Sequence, residues 1–309
     1  MALFNQTPSI DFMGGRRVAV VVSAVLILTS LGSLATRGLN LGIDFTGGLL
    51  LEVGYAGTAD LAEIRIALAD EGFATPLVQN FGTASDVLIR LPPQEEQDGG
   101  VLRDRIIGVL AERDPSVDVR RIDFVGRSVG EDLTEQGGLA MLIALILIFI
   151  YVMLRFRWKF AVGTITALVH DVIIVIGIFS IFGFGFDLSV LAAVLATIGY
   201  SLNDTIVVFD RIRENFRIMR RGSAEEIINR SINQMLGRTI ITSMTTLLVL
   251  TSLYLLGGES VSGFALALIV GVLVGTYSSI YIASASALAL DVSPIDLLPP
   301  KREEIDSLP

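Results

Sequence analysis

The chain has 309 residues, 52% hydrophobic and 18% charged, with a formal net charge of -9 and a mean hydropathy of +0.68. So large an apolar share, set against roughly 25% charged residues in an average soluble domain, exceeds what one soluble core buries and predicts a polytopic α-helical membrane protein. The 21 Arg and 2 Lys sit in short clusters that form no continuous cationic face for nucleic acid, the absence of Cys removes disulfides and thiolate metal sites, and a single His builds no His cluster.

Residues 1–17 form a leading segment with Arg16 and Arg17 at its end. The first span follows within 18–36, with Val18 to Ala35 apolar. Its basic flank and Ser33-Leu34-Ala35 ending resemble a cleavable signal peptide, but its run of 18 residues is longer than the usual ~7–15 residue signal core. It is expected to stay as a membrane span. Residues 37–130 then have ordinary globular composition. "GGLLLEVGY" predicts a strand, "TADLAEIRIALADEG" a helix capped by Thr58 or Asp60 and stopped at Gly72, and "TPLVQNFG" and "DVLIRLPP" two further strands. "EEQDGGVLRDRIIGVLAERD" predicts a second helix and "SVDVRRIDFVG" a last strand. That β-α-β-β-α-β order is the split pattern of ferredoxin-like α+β domains. The scaffold alone names no chemistry.

Five further spans are expected in 131–290: Gly138 to Leu154, Phe160 to Phe182, Leu188 to Phe209, Thr239 to Leu256 and Gly263 to Leu290. Arg155, Arg157 and Lys159 separate the second and third, and Arg211, Arg213, Arg217, Arg220 and Arg221 follow the fourth. The connections "GFGFD" and "GGES" carry neither Lys nor Arg. By the positive-inside rule the Arg-bearing connections and both termini are cytoplasmic, and 37–130 is periplasmic or extracellular. In the 210–237 connection, Ser223 and Glu226 fit a capping box, and Ile227, Ile228, Ile232 and Met235 suggest an amphipathic helix near the membrane surface. The Pro-containing tail, 291–309, is expected to be cytoplasmic and disordered from Ser293.

Asp204 is the first candidate for chemistry. It lies about 10 Å inside a boundary near Arg211, where an ionised Asp costs roughly 2.5–3.5 kcal/mol on insertion scales. It is therefore expected to be protonated part of the time, paired, or facing water. Thr197, Tyr200, Ser201, Asp204, Val208 and Arg211 share one helical stripe. Arg238 opens the fifth span with Thr242, Thr245 and Thr246 on its face, and antiparallel geometry puts it in reach of Asp204. The plainer readings are a snorkelling Arg238 and an Asp204 that only bonds helices together. His170 and Asp171 fall near the middle of the third span. Being about 100° apart on a helix, they are not expected to face one partner. A lone buried His is most simply neutral and bonded to Ser or Thr, whereas Asp171 fits the same polar seam as Asp204. Asp187 and Asp210 stand at solvated span ends. Gly271 and Gly275 form a helix-packing G-x-x-x-G. There is no Walker loop and no G-x-G-x-x-G, so neither ATP nor a dinucleotide has a cradle; no cofactor other than protons is expected.

The chain resembles the SecD/SecF protein-export family of the resistance-nodulation-division superfamily. The resemblance rests on "GIDFTGG" (42–48), "VGRSVGEDL" (125–133), "HDV" (170–172), "GYSLNDTIVVFDRIREN" (199–215) and "RRG…E…N.S..Q...RTIITS" (220–243), with Arg127 where the family usually has Pro. It implies a non-enzymatic subunit that works with SecD in the bacterial inner membrane. That complex uses the proton motive force to help a polypeptide through the SecYEG channel alongside SecA. The resemblance places the essential intramembrane acid at Asp204 and the essential fifth-span arginine at Arg238. Asn203, Thr242 and Asp171 are expected beside them as supporting groups. A proton-driven small-molecule or lipid transporter subunit of the same superfamily would use the same acid, although six spans and one outer domain make only half of such a pump. A membrane aspartyl protease would need Asp171 and Asp204 to share a water.

Overall fold

The computed structural model describes residues 8–73, 76–93, 99–219 and 222–292. The tail from Ser293 and the pair Arg220 and Arg221 lie outside the described residues. Helix α1, Arg16–Arg37, buries a stripe of small residues, Ala19, Ser23 and Ser30, and exposes Val18, Val21 and Leu28. That distribution suits a helix whose outer face meets hydrocarbon.

Strand β1 (Asn40–Leu41) and the single turn α2 (Ile43–Thr46) lead into a small α/β region. Its elements are β2 (Gly48–Gly54), α3 (Leu61–Asp70), β3 (Leu77–Phe81), β4 (Thr83–Leu91), α4 (Gly99–Arg113) and β5 (Asp118–Val125). The sheet runs β3-β4-β2-β5 with every neighbouring pair antiparallel. Strand alternation explains the register. Leu49, Leu51 and Val53 pair with Leu91, Ile89 and Val87 and point with them to one face, where Ile64 and Leu68 of α3 and Leu102, Ile106 and Leu110 of α4 complete the core. The other face is charged, with Arg120 on Asp86 at 2.8 Å and Arg121 on Glu52 at 3.6 Å. Of the two expected caps for α3, Asp60 is the one used: its carboxylate accepts from the N–H groups of Ala62 and Glu63. Gly72, at φ +85°, ends that helix.

The remaining helices are α5 (Arg127–Arg155), α6 (Trp158–Phe182), α7 (Leu188–Ile218), α8 (Ala224–Leu256) and α9 (Glu259–Ser278). A π-helical turn, Ser279–Ala283, joins α9 to α10 (Ser284–Ala289). Among the described residues, six helical segments are long and apolar enough to cross a membrane, consistent with a polytopic membrane protein. Helix α6 is central and packs on α1, α5, α7 and α9. Several boundaries differ from the sequence expectation. Helix α5 starts at Arg127 instead of Gly138, because Gly130 and Thr134 of its first turns pack on the Phe45–Gly47 backbone. The 210–237 segment is mostly helix: α7 runs on to Ile218, and α8 is continuous from Ala224, opening with the Ser223–Glu226 capping box. The amphipathic stretch is therefore no separate surface helix. Ile227, Ile228 and Ile232 are buried against Phe12, Phe156, Phe209 and Phe216, which offers more apolar contact than a headgroup layer. "GFGFD" contains strand β6 (Gly185–Phe186), which pairs in parallel with β1.

The N-terminal segment is tied to α8. Asn229 Oδ1 accepts from the Phe12 and Met13 N–H groups at 2.7 and 3.3 Å. Asn233 bonds both the N–H and the carbonyl of Ile10 at 2.9 and 2.7 Å.

The α/β region meets the bundle through glycines. Gly47, at φ +70°, lies so close to Arg127 that a Cβ would stand 3.0 Å from its Cα. A Cβ on Gly130 would stand 2.7 Å from Gly47 N and 3.0 Å from the Phe45 carbonyl oxygen. Asp44 accepts from the Leu188 N–H at 2.9 Å, at the start of α7. Overpacking of this kind costs typically ~1–3 kcal/mol. Gly130→Ala should therefore lower the thermal midpoint of the detergent-solubilised chain, whereas Gly138→Ala, with nothing within 4 Å of its Cβ position, should not.

Candidate functional site

The bundle holds two apolar layers, one around Phe160, Phe209 and Ile228 and one around Leu168, Phe179 and Val194. Between them, α7 carries Ser201, Asp204 and Thr205, α6 carries His170 and Asp171, and the last span carries Tyr277, Ser278 and Ser279. A carboxylate or imidazole at this depth must find its partners inside the bundle, because no water competes for it in hydrocarbon; the Thr197 and Thr205 hydroxyls are buried without a partner among the described residues.

Asp204 is half-buried. Thr239 of α8 donates to its Oδ1 at 3.0 Å, and Ser279 of the π turn donates to its Oδ2. Arg238 is exposed and forms no ion pair with Asp204 among the described residues. It lies within electrostatic reach of the carboxylate. The expected contact is thus replaced by a hydroxyl one residue further on, because Thr239 is the residue that α8 turns toward α7. Asn203 and Thr242 are exposed and make no hydrogen bond to Asp204 among the described residues; the Thr242 hydroxyl donates to the Arg238 and Thr239 carbonyls of its own helix, both at 3.0 Å.

Asp171 is 1% exposed and His170 3%. Ser201 and Ser278 donate to Asp171 Oδ2 at 2.6 and 2.8 Å. Asp171 Oδ1 and His170 Nδ1 stand 2.9 Å apart. The two neighbours, expected to serve different partners, bond each other, and His170 Nε2 also meets Ser23 of α1 at 3.1 Å. The serine contact of His170 was legible; the acid contact was not. Consecutive residues Ser278 and Ser279 therefore serve the two acids separately. Gly271 and Gly275 make this geometry available: a Cβ at Gly271 would lie 2.2 Å from Thr197 Oγ1, and one at Gly275 3.0 Å from Ser201 Cβ. The G-x-x-x-G face packs on the polar stripe of α7.

The span ends also have partners. Asp187 caps α7 through the Val190 N–H at 2.8 Å. Arg155 donates to both oxygens of Asp210 at 2.8 Å. Arg211 and Asn215 both donate to Gln234 Oε1 at 2.8 Å, so the "RIREN" and "N.S..Q" stretches lock α7 to α8. Sequence reasoning missed Thr239, Ser278, Ser279, Tyr277 and Ser23. The hydroxyl-rich run "TYSSIYIASAS" in an otherwise apolar span was the available signal for three of them.

These features coincide with a known class. The model of the protein export membrane protein SecD/SecF, C-terminal, matches residues 106–293, and that of the SecD/SecF GG motif matches residues 32–59, which include the Gly47–Gly48 junction. The chain is thus built as a SecD/SecF export membrane protein. It is 50% identical over 306 residues to the protein translocase subunit SecF of Vibrio alginolyticus, covering 97% of each chain. It is 48% identical over 304 residues to that of Pseudomonas aeruginosa, covering 97% of this chain and 98% of the other. The crystal structure of SecDF from Thermus thermophilus superposes with a TM-score of 0.84 at 38% identity, over 93% of this chain and 39% of that one. The chain belongs to the SecF family of protein translocase subunits.

Hydrogen bonds between membrane helices contribute on average ~0.6 and at most ~1.7 kcal/mol. Ser279→Ala should destabilise the bundle by about that range, seen as a lower thermal midpoint. Ser252→Ala, whose hydroxyl among the described residues bonds only the Leu248 carbonyl of its own helix, should leave the midpoint in place.

Proposed function

We propose that this chain is the proton-responsive SecF half of an export complex in the bacterial plasma membrane. SecD is its companion, and the complex helps a translocating polypeptide through the SecYEG channel alongside SecA. The single observation that carries this reading is Asp204, a carboxylate within a membrane-crossing helix held by hydroxyls from two other elements. The relatives' shared designation as protein translocase subunits and the likeness to part of a SecDF chain support the partner and the cargo.

Ionised Asp204 accepts two charge-assisted bonds, which are roughly twice as strong as neutral ones. A proton arriving on the carboxylate weakens the grip of α7 on Thr239 and Ser279 and removes the attraction toward Arg238, the proposed counter-charge. Asn203, Thr242 and Asp171 act as supporting groups. Carrying one charge through 100 mV supplies ~2.3 kcal/mol, enough to shift the ratio of two helix packings roughly 50-fold. The α/β region would follow such a shift because Gly126 alone separates β5 from α5. We assign that region to the ferredoxin-like α+β group, a reading supported by its element order and by its antiparallel β3-β4-β2-β5 sheet. It lies outside the cytoplasm, and the Arg-rich connections and both termini lie inside.

Asp204→Asn should insert and assemble normally yet lose at least tenfold in proton-dependent export from inverted vesicles; undiminished export would remove this acid from the mechanism. Sidedness has its own test, because the chain lacks Cys. A membrane-impermeant maleimide should label Gly57→Cys in cells with a permeabilised outer membrane, and Arg230→Cys only after lysis. The reverse pattern would invert the topology.

A further inference from the structure

The hydrogen atoms around His170 can be counted. Tyr277 Oη lies 2.7 Å from the Ala19 carbonyl oxygen, and only the phenol has a hydrogen to give there. Tyr277 Oη also lies 3.0 Å from Ser23 Oγ, so in that contact it must accept and Ser23 must donate. Ser23 has then spent its one hydrogen. Its other contact, with His170 Nε2 at 3.1 Å, needs the ring nitrogen to be the donor. With Nε2 protonated, the contact of Nδ1 with Asp171 Oδ1 at 2.9 Å still needs a hydrogen of its own. Asp171 Oδ2 supplies none, since it accepts from Ser201 and Ser278.

We infer that the His170–Asp171 pair is a second proton-binding site, which holds one proton more than a carboxylate beside a neutral imidazole. The proton sits on the axis between Nδ1 and Oδ1, with Nε2 protonated as well, and the pair carries no net charge. Releasing it leaves Nδ1–H facing a carboxylate and a bare Nε2. The Ser23 hydroxyl then turns from Tyr277 to Nε2, and the Ser23–Tyr277 contact loses its hydrogen. Binding and release at α6 thereby switch a bond between α1 and the last span. Both members are buried, where an uncompensated charge is costly.

Among the described residues no cation contacts the pair. Of the titratable groups on the elements packed against α6, Tyr277 stacks on the His170 ring at 6.1 Å, a face that favours a cationic imidazole, and Tyr281 of the π turn lies behind it, 5.3 Å from Tyr277. Asp204 stands one turn from Ser201 on α7. Tyr200 of α7 turns to Ser243 of α8 at 3.4 Å; the charged groups of α1 lie in its terminal turns, those of α5 are Arg127, Glu131, Asp132 and Glu135 near its start and Arg155 at its end, and α10 has none. The use of this proton in transport rests on the preceding proposal; its presence does not, since no atom of Asp204 enters the count.

The chain has one histidine, so labelling with 15N-histidine reports on this imidazole alone. Magic-angle-spinning NMR of the full chain, in bilayers of phosphatidylethanolamine and phosphatidylglycerol, should show Nε2 protonated at neutral pH, in Asp204→Asn as in the unaltered chain. Tyr277→Phe, which leaves the Ser23 hydroxyl free to donate to Nε2, should lose at least half of the protonated Nε2 signal at the same pH. A bare Nε2 in the unaltered chain, or an unchanged spectrum in Tyr277→Phe, would overturn the inference. If Asp204→Asn alone loses the signal, the pair is no independent site and the inference is likewise overturned. Undiminished export by Asp204→Asn would sink the earlier proposal and leave this count intact.

Discussion

Hydrogen bonds that polar groups must find inside an apolar bundle decide which helices touch and how closely. Asp171 and Asp204 sit on different helices, and the last span wedges between them. Adjacent residues on a helix diverge by about 100°, so Ser278 turns to α6 and Ser279 to α7 without either helix leaving its place. The π turn begins at Ser279; such widened turns are frequent at functional sites. Small residues permit the approach on every side: Gly271 and Gly275 against α7, Gly177 against Ser30 of α1, and Gly163 3.0 Å, at its Cβ position, from the Ala283 carbonyl. A bulkier residue at any of these would hold two helices apart.

The same economy governs the join to the α/β region. A short chain from Asn40 to Gly48 touches three elements of the bundle side: β6 through β1, α7 through Asp44, and α5 through Gly47 and Gly130. Since α5 follows β5 after one residue and Gly48 pairs with Val125, two neighbouring strands tie the same end of the sheet to the helices. An internal change in how α7 sits against α8 and the last span has a short mechanical path outward.

Much of this was legible in sequence because the physics is local. Apolar runs marked the six spans, Asp60 and Ser223 announced their caps, alternation gave the four strands of the sheet, and the i, i+4 stripe on α7 singled out Ser201 and Asp204. What stayed hidden depends on which residues of distant segments meet. Nothing local says that α8 turns Thr239 instead of Arg238 toward Asp204, since the two are neighbours and both are polar. The His170–Asp171 bond contradicts the simple rule that adjacent helical residues look apart, because two side chains with flexible torsions can lean together when hydroxyls from α1, α7 and α9 fix their outer atoms. The continuity of α8 was masked by a sequence that is amphipathic first and apolar later, a change that reflects burial under Phe12 and Phe209 and not a break in the helix.

The exposed side of the site carries the last step. Thr242 and Thr245 satisfy their hydroxyls on carbonyls of their own helix, so they tolerate an apolar neighbour. Asn203 and Arg238 are exposed at the level of Asp204, and among the described residues their side chains have no such internal remedy. A bilayer is a poor solvent for an amide and a guanidinium at that level, whereas the polar face of another helix bundle is a good one. On the reading proposed above, in which SecD is the companion, the surface that leaves Arg238 out of contact with Asp204 is the one such a subunit would cover. Covering it would also remove the alternative of snorkelling to phosphates and turn a long-range attraction between Arg238 and Asp204 into a stronger one, because the dielectric between them would fall.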